Sequence, residues 1–396
     1  MKNDSVRVLY SFPHKIGADR ICYTAWEQVN GLAAAGADVL LMPGVLHRDV
    51  HPNVKVRPTL AWGKLRVSYK MMGTMRACAL HDHIVARRLR KLAGQIDLVH
   101  TWPIGAEQTL KIAAEMGIPT VLERPNAHTR FAYETYAMES ERLGVKMPPG
   151  HEYSFKPDVL EKEEREYKLA YRILCPSEFV VKTFLDQGFK REQLVRHIYG
   201  FDEKRFYADK GAKERGGGLT VITVGMQALK KGLHYALEAW LNSPAHRDGT
   251  FLIAGAFEAA YQQKLAPMLS HSSIRVLGHR NDVPDLMRKS DIMVLPSIEE
   301  GFGLVCVEAM GSGCVPLVSE ACTDVCRHME NALVHPIRDV KALTEQFTTL
   351  YKDRALLQKL REGALKTAPE VTWTAAGRTL HRVYKEVLNM AKRQGD

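Results

Sequence analysis

The sequence has no long hydrophobic run. Its longest apolar stretches, such as LTVITVG and IMVLP, are far shorter than the roughly 20 residues that a helix needs to cross a bilayer. The first residues, MKNDSVRVLYSFP, also lack the basic start, apolar middle and small-residue cleavage site of a signal peptide. We therefore expect a cytoplasmic protein without a membrane-spanning helix.

Cysteines are few and do not form a metal-binding pattern. There are seven, an odd number, spread over apparent strands and helices, which indicates reduced thiols rather than disulfides. Cys322 and Cys326 are four residues apart, but no second Cys or His pair at zinc spacing accompanies them. The two histidines of His81-Asp82-His83 would point in different directions on a helix. The sequence therefore predicts no metal site.

Acidic residues are almost absent from residues 62–95, which hold eight Lys and Arg side chains against the single acid Asp82. Apolar and aromatic residues such as Leu65 and Tyr69 are interleaved with these cations. This composition is typical of a surface that docks on anionic lipid or binds an acidic acceptor, and equally of a solvated helix face. The stretch matches no nucleic-acid-binding motif, so we expect no nucleic-acid partner. The expected localisation is cytoplasmic, and peripheral docking on the inner face of the membrane is one of these two alternatives.

Strands and helices alternate twice along the 396 residues, which predicts an α/β protein with two parallel-sheet domains. Residues 1–205 form the first domain, and the polar, glycine-rich stretch 208–218 is the candidate linker. Residues 206–375 form the second domain. Residues 376–396 are a closing helix that we expect to pack back on the first domain.

Three glycine-containing loops follow predicted strands at corresponding positions. Gly17 follows the first strand, Lys231 and Gly232 follow LTVITVG, and the turn Gly301-Phe302-Gly303 follows IMVLPS. Glycine permits close backbone approach, and lysine supplies the charge that a diphosphate needs. Because ligands of open α/β sheets bind beyond the carboxyl ends of the strands, the sequence predicts a site in the cleft between the domains.

The stretch EEGFGLVCVEAMGSG places Glu300 before the glycine turn and Glu308 on the second turn of the helix that follows. A helix that begins in such a turn has unpaired backbone N–H groups that hold an anion. Carboxylates would repel a diphosphate, but they accept hydrogen bonds from vicinal hydroxyls, as on a ribose or a hexose. The pattern fits a nucleotide sugar. The alternative is that Glu300 merely precedes a turn and Glu308 faces water.

These stretches resemble family 4 of the retaining glycosyltransferases, which have the two-domain GT-B fold. The resemblance covers SFPHKIGADR, SEFVVKTFLDQGFKREQLVRHIYGFDEKRF, VGMQALKKG and, over more than forty consecutive positions, VLGHRNDVPDLMRKSDIMVLPSIEEGFGLVCVEAMGSGCVPLVS. It implies transfer of a sugar from a nucleoside-diphosphate sugar to an acceptor, with retention at the anomeric carbon and without a metal or other cofactor. The first domain would bind the acceptor, a glycan, polar lipid or small molecule, and the second the donor.

The resemblance also implies roles for individual residues. Glu308 matches the acid that binds the ribose, Glu300 the acid that contacts the donor sugar, and Lys231 the lysine that neutralises charge on the leaving diphosphate. Backbone N–H groups of the glycine turn would hold the sugar and the diphosphate. The expected catalytic residues are Lys231, Glu300 and His128. The expected donor-binding residues are Gly17, Gly225, Lys231, Glu300, Gly301, Phe302, Gly303, Leu304 and Glu308.

Two positions depart from the family pattern. Met226 stands where the family usually has arginine, and Lys230, Arg124 or Arg280 are the candidates to replace that cation. His128 lies farther from its strand than the family's sugar-contacting histidine. The departure at Met226 keeps open a protein that binds nucleotide sugar without transferring it. A sugar-nucleotide epimerase or hydrolase is the other alternative.

Overall fold

The computed structural model describes residues 5–63, 65–148, 150–209 and 217–395. These residues form two parallel β-sheets, each covered by helices, and a two-stranded antiparallel ribbon. The predicted linker at 208–218 falls largely on residues 210–216, which lie outside the described residues. The architecture has the α/β class that the alternating pattern predicts.

The first sheet has seven strands in the described residues, in the order β3-β2-β1-β6-β7-β8-β9, all parallel. β4 and β5 form the separate ribbon. The strands are β1 (Arg7–Ile16), β2 (Asp38–Leu46), β3 (Lys55–Val56), β4 (Ala61–Trp62), β5 (Leu65–Arg66), β6 (Leu98–Thr101), β7 (Thr120–Glu123), β8 (Arg172–Cys175) and β9 (Leu194–Arg196). The α-helices around them are α1 (Ile21–Ala34), α2 (Tyr69–Met72), α3 (Thr74–Leu89), α4 (Glu107–Glu115), α5 (Thr129–Leu143), α6 (Pro157–Leu169) and α7 (Glu178–Leu185).

The second sheet has the order β12-β11-β10-β13-β14-β15, again all parallel. Its strands are β10 (Thr220–Val224), β11 (Thr250–Ala254), β12 (Ile274–Gly278), β13 (Ile292–Leu295), β14 (Val315–Ser319) and β15 (Leu333–His335). The α-helices that follow β10 are α8 (Leu233–Asn242), α9 (Ala259–Leu269), α10 (Val283–Arg288), α11 (Leu304–Gly311), α12 (Val340–Lys352), α13 (Arg354–Thr367) and α14 (Trp373–Gly395).

Each sheet reverses its strand order at one point, between β1 and β6 in the first sheet and between β10 and β13 in the second. Chain connections leave such a point in opposite directions, so the loops there open a crevice at the carboxyl ends of the strands. In the second sheet the two loops are those after β10 and β13. They carry Lys231 and the glycine turn that the sequence singles out.

Each domain contributes a helix to the core of the other. Along the chain, α5 follows β7 of the first sheet and precedes β8. Its Tyr136 is nevertheless buried in the apolar cluster of the second domain. α14 follows the second domain, and its Leu380, Val383 and Tyr384 are buried with residues of β1 and β2 in the cluster of the first. This exchange fixes the two domains against one another across the crevice.

Within the described residues, no helix combines the length and the hydrophobicity that crossing a membrane requires. The longest, α14, has a strongly amphipathic sequence with many charged residues, which fits a helix packed along one face.

Candidate functional site

The loops after β10 and β13 touch directly. Gly232 has a left-handed φ of 67°, and a Cβ at this position would lie 2.2 Å from the carbonyl oxygen of Pro296. The backbone N–H of Ile298 donates a hydrogen bond of 2.8 Å to the carbonyl oxygen of Lys230. Only glycine allows this approach, since a side chain would collide with the β13 loop. The contact brings the two lysines of one loop beside the two glutamates of the other.

Lys230 and Lys231 pair one to one with Glu299 and Glu300. Lys230 Nζ lies 2.7 Å from Glu299 Oε2 and also 4.8 Å from the centre of the Tyr153 ring. Lys231 Nζ forms an ion pair with Glu300 Oε2. Burial alone would raise the pKa of Glu300, but the charges of Lys231 and Lys230 outweigh it and lower that pKa, so this carboxylate is ionised at neutral pH.

The glycine turn after Glu300 is pressed against the first domain. A Cβ on Gly301 would lie 1.7 Å from the carbonyl oxygen of Pro125 and 3.2 Å from Asn126 Cα. Ser177 Oγ donates a hydrogen bond of 2.6 Å to the carbonyl oxygen of Gly301. The turn therefore lies where the two domains meet, with no space for a side chain at Gly301.

Helix α11 begins directly after this turn. Gly303 takes a left-handed φ of 75° at its N-cap and offers no side chain to cap the helix. In the described part of the chain, the backbone N–H groups of Gly303 and Leu304 have no hydrogen-bond acceptor. Free N–H groups at a helix N-terminus hold negative charge well, so this end of α11 can bind a phosphate group.

Glu308 lies on α11, one turn beyond these N–H groups, and is half-buried. Burial raises the pKa of its carboxyl to about 7, and the positive charge of Arg205 acts in the opposite direction. Arg205 belongs to the segment that connects the domains. A carboxylate in this position can accept hydrogen bonds from a pair of ligand hydroxyls.

Gly225 and Gly17 lie on opposite sides of the crevice. Gly225 is exposed at the carboxyl end of β10, and its N–H donates to the carbonyl oxygen of Ala254. Gly17 lies in the loop after β1, where a Cβ would come within 2.8 Å of the Arg48 side chain. The donor-binding role of both glycines stays a prediction.

His128 does not lie where its predicted role requires. Its side chain is buried, caps the N-terminus of α5 by accepting from the N–H of Arg130, and packs its ring 4.9 Å from Phe184. Burial lowers the pKa of the imidazole to about 3, so it is neutral. The ring belongs to the aromatic core of the first domain, and the expectation that His128 contacts the donor sugar does not fit this placement.

The three cations proposed to replace the missing arginine differ in their burial and in their ion-pair partners. Arg124 is buried, with an ion pair of 3.2 Å to Glu163, and Arg280 pairs at the surface with Asp282. Met226 is 45% exposed beside Gly225. Lys230 alone among the three candidates lies in the cluster with Lys231 and Glu300.

Two features of the site do not follow from the motifs in the sequence. Glu299 forms an ion pair with Lys230, just as Glu300 does with Lys231. In the sequence, this pairing is indicated by Lys-Lys after one strand and Glu-Glu after the neighbouring strand. Asn126 is exposed next to the glycine turn. No local pattern marks Asn126, because its position depends on the contact between the domains.

In the described ranges, no group of three or more His, Cys, Asp or Glu side chains could hold a metal ion. His81 is buried and hydrogen-bonded to Ser11 and Thr59. Asp82 accepts hydrogen bonds from the first N–H groups of α4, at Gln108 and Thr109. These two residues therefore serve the packing of the first domain.

The fold is that of the two-domain GT-B glycosyltransferases. Sucrose-phosphate synthase from Thermosynechococcus elongatus superposes with a TM-score of 0.68 at 15% identity, covering 98% of this chain and 100% of that one. Anabaena HepE, solved in complex with UDP, superposes with a TM-score of 0.63 at 15% identity, covering 96% and 100%. At such identities the likeness shows the fold alone.

Residues 218–353 match the family model described as "Glycosyl transferases group 1". Over 122 residues, 30% of this chain, the sequence is 28% identical to the N,N'-diacetylbacillosaminyl-diphospho-undecaprenol alpha-1,3-N-acetylgalactosaminyltransferase of Campylobacter jejuni. The matched segments span 32% and 60% of the length of the first two curated relatives. Residues 218–353 of the second domain therefore match the group 1 glycosyltransferases, as the resemblance predicted.

Proposed function

We propose that this protein transfers a hexose from a nucleoside-diphosphate sugar to an acceptor, with retention at the anomeric carbon and without a metal or other cofactor. The observation that carries the proposal is the ion pair of Lys231 with Glu300 beside the free N–H groups of α11. It combines a cation for the diphosphate, a helix N-terminus for a phosphate and a carboxylate for sugar hydroxyls in one crevice.

Each group of residues acts on a different part of the donor. Free N–H groups of Gly303 and Leu304 face the diphosphate, and Lys231 adds positive charge where negative charge develops as the bond to the anomeric carbon breaks. The acceptor hydroxyl attacks from the same face, and its proton goes to the departing β-phosphate oxygen. The products are the glycoside and a nucleoside diphosphate. Glu308 accepts the ribose hydroxyls and orients the nucleotide.

Calorimetric binding of UDP, GDP and ADP tests the donor site. UDP is the first choice, because the similarly folded HepE is solved with it. One of the three should bind to the wild type and bind more weakly to Glu308→Ala. The corresponding nucleotide sugars are then assayed for release of nucleoside diphosphate. Failure of all three to bind would contradict the donor site.

The stereochemistry and the metal requirement are tested separately. The product's anomeric configuration, read from the coupling constant of its anomeric proton, should equal that of the donor. Turnover should be unchanged by a chelator such as EDTA. Inversion of configuration or loss of turnover in EDTA would contradict the respective part of the proposal.

The acceptor class is proposed from the relatives and from the charge of the first domain. The Campylobacter relative is named for a diphospho-undecaprenol acceptor, and residues 62–95 of this chain are strongly basic. Both support a role in envelope polysaccharide or glycoconjugate synthesis, at the inner face of the membrane. Failure to co-sediment with anionic vesicles at low salt would contradict membrane docking.

The family membership favours transfer over an epimerase, a hydrolase or a binding protein without activity. Met226 supports the last alternative, since it removes one of the two cations expected at the diphosphate. Lys230 stands close by but is held by Glu299. Tight nucleotide binding without release of diphosphate in the presence of any acceptor would favour the binding protein.

A further inference from the structure

A second cavity opens in the first domain, beside the loop that follows β1. Its volume is about 610 Å³. One wall is formed by the end of β1, with His14 and Lys15, and by the start of α1, with Cys22. The opposite wall is the segment from β5 into α2, with Arg66, Val67, Tyr69 and Lys70. We call it the cationic pocket. The donor-site residues described above do not line it.

The charged side chains that line the cationic pocket are all positive. Lys15, Arg66 and Lys70 are exposed, and within the described residues none of the three has a carboxylate partner. None of the described lining residues is an acid; Asp19 follows in the same loop but does not line the pocket. Three unpaired cations around one cavity create a field that attracts an anion and repels a cation.

The floor and walls of the pocket are apolar and firmly held. Tyr69 donates a hydrogen bond of 2.5 Å from its hydroxyl to the carbonyl oxygen of Pro13, which ties α2 to β1. Val67 and Ala18 add aliphatic surface. The pocket therefore combines a hydrophobic lining with three charged groups at its mouth, as expected for a ligand with an apolar part and an anionic part.

The pocket lies on the side of the first sheet that faces the crevice. Its walls include the carboxyl ends of β1 and β2, at Lys15 and Val45 respectively. Tyr23, which follows Cys22 of the pocket wall, packs against the core of the second domain. Arg205 interacts electrostatically with both Tyr23 and Glu308. The pocket wall is thus linked to the surroundings of Glu308 through Tyr23, on the first turn of α1.

We propose that the cationic pocket binds a phosphate-bearing group of the acceptor and so selects anionic acceptors. This inference rests on the proposed function. Lys15, Arg66 and Lys70 supply charge-assisted hydrogen bonds to the phosphate oxygens, and Val67 and Tyr69 contact the apolar part. The acceptor hydroxyl would then extend from the pocket over the first turn of α1, at Cys22 and Tyr23, toward the donor.

The phosphate can belong to a lipid in the bilayer or to a soluble glycan. Leu65 and Met71 flank the pocket wall and are 75% and 90% exposed. Exposed apolar side chains next to cations are typical of a segment that inserts at a membrane surface. The experiment below separates the two sources.

Inorganic pyrophosphate is titrated calorimetrically into Lys231→Ala, in which the donor site is weakened. The same titration is made with Lys15→Gln, Arg66→Gln and Lys70→Gln added to that background. The matched control carries Lys264→Gln, Arg275→Gln and Lys289→Gln instead, which removes three exposed cations from the second domain. We expect affinity to fall at least about tenfold in the pocket variant and to be unchanged in the control.

Equal pyrophosphate affinity of the pocket variant and the control would overturn the proposal. Nucleotide binding to the triple pocket variant in an otherwise wild-type chain is measured in parallel and should be unchanged. If nucleotide binds but the pocket charges have no effect, the inference fails and the proposed function stands. If no nucleotide binds to the wild type, the proposed function fails whatever the pocket binds.

Vesicles of phosphatidylcholine with and without phosphatidic acid identify the source of the phosphate. Co-sedimentation that requires phosphatidic acid and is lost in Leu65→Ser/Met71→Ser, with pyrophosphate binding retained, supports a lipid-borne group. Pyrophosphate binding without any co-sedimentation supports a soluble phosphorylated acceptor. Co-sedimentation that is equally strong in the triple pocket variant would contradict recognition of phosphate by the pocket.

Discussion

At the scale of single residues, Lys231 carries the greatest predicted effect on chemistry. Its ion pair with Glu300 holds it beside the turn that leads to the free N–H groups of α11. Lys231→Ala removes charge stabilisation at the leaving diphosphate, so we expect the rate of donor turnover to fall by about 10²- to 10³-fold. The melting temperature should change little, because the side chain is partly exposed. Lys264→Ala, an exposed lysine on α9, is the control and should keep full turnover.

Glu308 should make nucleotide binding depend on pH. Burial raises the pKa of its carboxyl to about 7 in the free protein, with Arg205 opposing. Only the ionised form accepts hydrogen bonds from both ribose hydroxyls, so affinity should increase as the pH rises through about 7. Glu308→Gln should bind more weakly at pH 8 and lose this increase. Calorimetric titrations from pH 6 to 8 measure it, and an equal slope in both proteins would contradict the assignment.

At the scale of secondary-structure elements, the contact of α5 with the second domain depends on Glu139. This buried carboxylate accepts hydrogen bonds from His234, Tyr235 and Arg338, the last at 2.7 Å. Burial acts to raise its pKa, but these partners outweigh burial and lower the pKa to about 2. Its ionised form therefore stabilises the fold above the ordinary glutamate pKa, and this stability is lost as the pH falls from about 4.5 toward 2.

Glu139→Gln should lower the free energy of unfolding at pH 7 by about 3 kcal/mol, since it leaves Arg338 without its partner. Urea unfolding of the wild type and the variant at pH 7 and at pH 3 measures this. The difference between the two proteins should shrink at the lower pH. A difference that is the same at both pH values would show that the charge of Glu139 is not responsible.

The secondary-structure elements show how much of the fold can be predicted from the sequence. Apolar runs and their alternation predicted both sheets, and the glycine turn between β13 and α11 was found with Glu308 on the second helical turn. Helix α3 begins at Thr74, well before Asp82, whose side chain caps α4 and not its own helix. No single apolar stripe marks helix α5 in the sequence, since its apolar residues face two domains. In each case the decisive partner is distant in sequence.

The parts of the site that depend on neighbouring residues in the chain could be predicted from the sequence. The free N–H groups of α11 follow from one turn, and the lysine and glutamate loops follow from their positions after neighbouring strands. The burial of His128 and the position of Asn126 depend on how α5 and the second domain pack. Neither is encoded in a pattern of adjacent residues, so the sequence could not distinguish a histidine in the crevice from one in the core.

At the scale of the whole molecule, the exchange of helices should make the two domains unfold together. Tyr136 of α5 is buried in the second domain, and Tyr384 of α14 is buried in the first, where its hydroxyl lies 2.6 Å from His100 Nδ1. Two domains joined only by a linker commonly unfold in separate steps. Here we expect a single calorimetric transition for the wild type, because neither core is complete without the other domain.

Tyr384→Ala tests this coupling. Removing a buried aromatic ring costs about 3–5 kcal/mol, and the loss falls on the contact of α14 with the first sheet. We expect the first domain to melt before the second, so that one transition becomes two. Phe251→Leu, a substitution within the second-domain core, should lower the melting temperature but keep one transition. Two transitions in the wild type would contradict the coupling, because the exchanged helices would then not join the cores.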